Sequence, residues 1–258
     1  ISNEGELRAQ GGIIELSALA ANNLKMGTIN NADTGSIIAT GYHRNSGKIT
    51  ISSQNGRQNL SGRIDVSNND EKLPSGYVSI SGDNIYNKSR ISANGMNGGK
   101  VKLLSKNLLI NDGQIEANGI NKGGEIIVMS EDTLFSSVKS KLIAKGDGNG
   151  GSIKTSAKQI NLTSGLLSVD SRLGSGGLID IEGKKVALLN ANLSAKGNQM
   201  GGNIRVGGEF QGGKRQNYTT DKEYFGFVNR FGKLSKISNA EQTYVDNNSS
   251  IDISSRSG

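Results

Sequence analysis

One histidine, His43, limits the chemistry open to this chain. A Ser-His-Asp triad is nearly excluded, and so is a multi-histidine metal site. The chain has no cysteine, which removes thiol catalysis and cysteine metal ligation as well. His43 lies in Gly41-Tyr42-His43-Arg44-Asn45 and reads as a solvated turn residue. Carboxylates remain. Glycoside hydrolysis needs two of them facing each other across a groove. Asp65, Glu116, Asp170 and Asp180 are expected at outward strand positions on different turns, solvated and unclustered. Gly146-Asp147-Gly148-Asn149-Gly150-Gly151 spells G-x-G-x-x-G, but the dinucleotide fingerprint needs a helix after it. Ile153-Lys154-Thr155 continues a strand instead, so the glycines read as a turn. No catalytic residue, metal site or cofactor is expected, and the chain is read as a non-enzyme.

Binding chemistry concentrates in residues 209–236. Six of the eleven aromatics lie there, and six lysines and arginines stand against three carboxylates. Aromatic faces beside arginine and lysine can stack on sugars or engage anionic groups. The candidate partner or glycan contacts are Lys214, Arg215, Tyr218, Tyr224, Phe225, Phe227, Arg230 and Phe231. A loop or hairpin folded against its scaffold, with phenylalanines covering apolar surface, accounts for the same residues equally well. Asn-x-Ser/Thr sequons occur at Asn59, Asn87, Asn161, Asn192, Asn217, Asn247 and Asn248, as an Asn/Ser-rich chain produces by chance.

The elements that would position these residues follow from a repeat. The residues two and four places after Gly12, Gly47, Gly76, Gly99, Gly124, Gly151, Gly177 and Gly202 form an apolar doublet, from Ile14/Leu16 to Ile204/Val206, broken only by Thr155. From Gly76 onward the steps are 23, 25, 27, 26 and 25 residues. Each period holds three short runs of period-2 alternation separated by Gly, Asn, Ser and Asp. Second-strand pairs read as Leu108/Ile110, Ile160/Leu162 and Val186/Leu188. Third-strand pairs read as Ile64/Val66, Ile91/Ala93, Leu167/Val169 and Leu193/Ala195. A fixed period of this size marks a stacked solenoid. The fold class predicted is all-β: a parallel β-helix with three short strands per turn of about 25 residues. Residues 1–208 form the coil, 209–242 an excursion out of it, and 243–258 the return. Residues 15–26 come closest to a helix.

Composition agrees with a scaffold. Only 33% of the 258 residues are hydrophobic, with no tryptophan and one proline, so the core is thin and aliphatic. The net charge of +7 comes without a long basic run and reads as lysine on outward positions, so no nucleic-acid partner is expected. No apolar run approaches the ~20 residues of a membrane span, so no insertion is expected. The chain begins at Ile1 and reads as a segment of a larger polypeptide.

Two stretches resemble a known family. They are Gly201-Gly202-Asn203-Ile204-Arg205-Val206-Gly207-Gly208-Glu209-Phe210-Gln211-Gly212-Gly213 and Asn239-Ala240-Glu241-Gln242-Thr243-Tyr244-Val245-Asp246. Together they resemble a motif of filamentous-haemagglutinin-type exoproteins, the secreted partners of bacterial two-partner secretion. The opening from Ile1 to Ala21 is similar to the stretch after their secretion domain. The resemblance implies a right-handed coil, export through an outer-membrane transporter partner, and a secreted or cell-surface location on a Gram-negative bacterium. It implies an adhesin that attaches to a host-cell receptor or glycan. A contact-dependent growth-inhibition stalk is the alternative, and a polysaccharide lyase or hydrolase a more distant one. The Asn-Pro motifs of the secretion domain are absent, so this segment is not expected to carry the secretion signal.

Overall fold

The computed structural model describes residues 1–19, 27–41, 46–68, 70, 72–209 and 236–256. Across them the chain is all β, without helix, and coils as a right-handed parallel β-helix of about seven turns. Its strands stack in three faces, each strand pairing in parallel with its equivalents one turn before and after. Rungs stand ~4.8 Å apart, the usual distance between hydrogen-bonded strands.

Face one is the glycine-paced doublet. Its register runs Ile14, Ile49, Val78, Val101, Ile126, Ile153, Ile179, Ile204, with Leu16, Ile51, Ile80, Leu103, Val128, Thr155, Ile181, Val206 beside it. The members between the terminal rungs are buried. Face three adds Leu7, Ile37, Ile64, Ile91, Ile115, Leu142, Leu167, Leu193 and Ile251 in register. Alternation puts one side of each strand inside, and stacking turns single residues into continuous ladders. The glycine pairs are fixed by close approach of successive backbones. A Cβ on Gly124 would stand 2.1 Å from the Gly99 carbonyl oxygen.

Face two reverses the expected polarity. Leu108/Ile110 and Ile160/Leu162 lie on strands as predicted, but they point outward. The inward residues there are Leu109 with Asn111, and Asn161 with Thr163. Val186 and Leu188 do point inward. The ladders shift register between Ser105 and Leu108 and between Ala157 and Ile160, and this carries the phase from one face to the next. The inner column holds Asn3, Asn31, Leu60, Asn87, Asn111 and Ser136 in register. The asparagines of this column bond along the axis: Asn3 to Asn31 at 2.8 Å, Asn87 to Asn111 at 2.7 Å, and Asn111 to the Ser140 hydroxyl at 2.6 Å. The Asn161 amide donates to the backbone and hydroxyl oxygens of Thr155, which accounts for the one polar member of the face-one doublet. Buried polar groups are tolerable when paired in this way. Outside, Tyr86, Ile110, Phe135, Leu162, Ala187 and Tyr244 form an apolar column in register.

The stretch 15–26, which comes closest to a helical pattern in the sequence, forms no helix over its described part. Ile13–Leu19 is a strand that pairs residue for residue with Lys48–Gln54. Pairing to the next rung outweighs the weak helical preference of an alanine- and leucine-containing run. Residues 20–26 lie outside the described residues, as does His43.

Candidate functional site

The described residues on either side of 210–235 come together in a narrow neck. Asn203–Val206 is the last strand of face one before residue 210, and it pairs with Leu178–Ile181. Gly207 follows with φ +69, a left-handed conformation that glycine adopts without strain. Hydrogen bonds tie the returning segment to the departing one and to the coil. Ala240 N–H donates to the Gly207 carbonyl at 2.7 Å, Glu209 N–H to the Asn239 side-chain oxygen at 3.1 Å, and Glu241 N–H to the Lys184 carbonyl at 2.8 Å. Gln242–Val245 then joins face two and Ser250–Asp252 joins face three, as the repeat-like sequence there predicts.

An ionic clamp closes the neck. Asp180 and Arg205 are register partners on the outer side of face one, yet each side chain is only 5% exposed. Arg205 Nε and Nη2 each donate to an Asp180 oxygen at 2.7 Å, a bidentate fork. Arg205 Nη1 donates to Glu209 Oε1 at 2.9 Å, and Ile237 N–H reaches the same oxygen at 3.0 Å. Burial works to lower the Arg205 pKa. The Asp180 hydrogen bonds and charge, with Glu209 added, more than reverse this and raise it.

The eight candidate contacts, from Lys214 to Phe231, fall within residues 210–235 and lie outside the described residues. What the structure places is their anchorage. Arg205, Glu209 and Asn239 did not stand out in the sequence as a unit. The available signal was a cation and a carboxylate one period apart on the same strand phase.

The carboxylates depart from expectation. Asp65 and Asp180 are buried, each 3% exposed, not solvated. Asp180 belongs to the clamp. Asp65 ion-pairs with Arg63 and accepts from the Ser67 N–H at 2.8 Å. Asp65 and Glu116 were expected apart, but in-register stacking puts them two rungs from each other beside one groove of face three. Asp170 is half-buried between turns. Burial works to raise its pKa, and bonds from the Ser194 hydroxyl, the Lys196 N–H and the Ser168 hydroxyl, with the Lys145 charge, hold it below the ordinary value. These four carboxylates are thus all engaged by the coil's own donors and cations.

Gly146–Gly151 is a corner, bridged to Gly119 and Ser171, and the strand Ser152–Ser168 follows it, as read from sequence. Among the sequons, Asn87 and Asn161 are fully buried, Asn59 is half-buried, and Asn192, Asn247 and Asn248 are exposed; Asn217 is outside the described residues. Comparison with known protein families, with characterised proteins and with solved structures finds no match.

Proposed function

We propose that this chain is the β-helical segment of a secreted or surface-displayed bacterial adhesin of the filamentous-haemagglutinin type. In this reading the coil is a stiff scaffold, and residues 210–235 meet a host-cell receptor or glycan. The observation that carries it is the clamped neck. A buried bidentate ion pair fixes where an aromatic and basic segment departs from a regular rod. Binding residues commonly sit on segments held by a rigid scaffold. The described part of the first stretch that resembles the family, Gly201–Glu209, and the second, Asn239–Asp246, form this neck and the strand after it. A chain without cysteine suits export as an unfolded polypeptide through a transporter partner. The action proposed is attachment, not catalysis.

The test is a glycan and host-cell binding screen of the chain beside a version with residues 214–236 replaced by a short linker. Loss of binding in the linker version, with the coil's circular dichroism kept, supports the assignment. Unchanged binding removes the excursion as the site. Depolymerisation of an acidic polysaccharide by the purified chain would replace the binding reading with an enzymatic one.

A further inference from the structure

Face three carries a groove of about 770 Å³ between its strands and the corner returning to face one. That volume lies within the ~300–1,000 Å³ common to ligand pockets. Its floor is built from outward columns. Arg63 is in register with Arg90, and Asp65 with Ser92 and then Glu116. Charges pair across the columns. Arg63 bonds Asp65, Arg90 approaches Glu116 at 3.6 Å, and the Asn94 amide donates to Glu116 at 3.3 Å. Asp65 is buried and anchored, whereas the Arg63 and Arg90 side chains are 57% and 64% exposed. A guanidinium has five N–H donors, so one carboxylate leaves others for a ligand. Ile120, 44% exposed, supplies an apolar contact at the side of the groove.

Three features select the ligand. Cations and anions lie within a rung or two of each other, at ~4.8 Å per rung, so a charged ligand of either sign meets a like charge. A hydroxyl donates and accepts at once and suits mixed donors and acceptors. The strand Arg90–Ser92 is paired on both sides, so no free edge invites a peptide to add as a strand. The apolar Ile120 side chain suits the C–H face of a sugar ring. We propose that this groove binds a short neutral oligosaccharide, hydrogen-bonded by Arg63, Arg90 and Glu116 and packed on Ile120. The site is separate from the excursion and does not depend on the adhesin reading.

The test titrates the full chain with cellohexaose, maltohexaose and mannohexaose, with hexagalacturonate as the anionic comparison. NMR follows the Nε–H resonances of Arg63 and Arg90 and the Ile120 methyls. At least one neutral hexasaccharide should shift all three sets. Ile120→Ser and Arg90→Ala should each weaken that binding about tenfold, as loss of one well-made contact does. Both side chains are exposed, so melting should not change, and the linker version lacking 214–236 should bind as the parent does. The proposal is overturned if no neutral hexasaccharide moves these resonances. It is equally overturned if hexagalacturonate binds tenfold tighter than all of them, or if both substitutions leave affinity within about twofold.

Discussion

Arg205→Ala tests whether the neck is held by its ionic clamp. The guanidinium makes two bonds of 2.7 Å to Asp180 and one of 2.9 Å to Glu209. Asp180 is 5% exposed at its side chain and Glu209 18%. Removing the cation leaves both carboxylates poorly solvated and without their counter-charge, and stripping one partner from a buried pair costs about 3–5 kcal/mol. In a solenoid each turn is stabilised by its neighbours, so the loss falls on the strand Asn203–Val206 and the neck, not on the whole rod. At about 1.4 kcal/mol per decade, local opening should rise by two to three and a half decades. Hydrogen exchange reads this at the amides of Gly207, Ile237 and Ala240, which donate to Ile181, Glu209 and Gly207. Amides of Lys100–Asn111, on the far turns, should keep their protection. The double variant Asp180→Leu with Arg205→Met should recover most of it, because apolar residues of similar size often replace a buried ion pair at little cost. A rise below about tenfold in Arg205→Ala would refute the reasoning and leave the backbone bonds as what holds the neck.

Asn111→Ala should lower stability by about 1–3 kcal/mol in urea unfolding, since it strips a partner from Asn87 and from Ser140 inside the coil. Gly124→Ala should abolish soluble folding, because its Cβ would stand 2.1 Å from the Gly99 carbonyl oxygen; Gly5→Ala, with nothing within 4 Å, should leave melting unchanged. Asp252 has its pKa held down to about 2 by Lys196 and Ser254. A depressed folded pKa means the stabilisation is complete above the unfolded value near 3.8 and is lost as pH falls through about 2. Exchange protection of Ser250–Asp252 should therefore decline between pH 4 and pH 2, and Asp252→Asn should flatten that decline.

The coil was legible because faces one and three obey one rule, apolar inside and polar outside, at a phase set by glycines that stacking requires. Face two was misread because it obeys another. Its strands hold apolar residues on both sides of the alternation, as Leu108-Leu109-Ile110 shows, so hydropathy alone does not choose the phase. What chooses it is the inner turn, where buried backbone and amide groups need partners along the axis. Asn87, Asn111, Ser136 and Thr163 come 11 or 12 residues after the last glycine of their repeats, a recurrence of polar side chains that marks the inward position. The pairing of charges was legible in the same way. Once strands stack in register, a residue one period away is a neighbour at ~4.8 Å. Lys100–Glu125, Lys145–Asp170, Asp147–Arg172 and Asp180–Arg205 are opposite charges 25 residues apart, and each forms an ion pair. Glu131 and Lys158 pair at 27, the length of their own longer turn. The sequence period therefore gives more than the fold. Applied to charges, it locates the clamp at the neck, and at two periods it brings Asp65 and Glu116 to one groove. Opposite charges read at one-period spacing would find the clamp before any coordinates, whereas hydropathy read at that spacing finds only the rod.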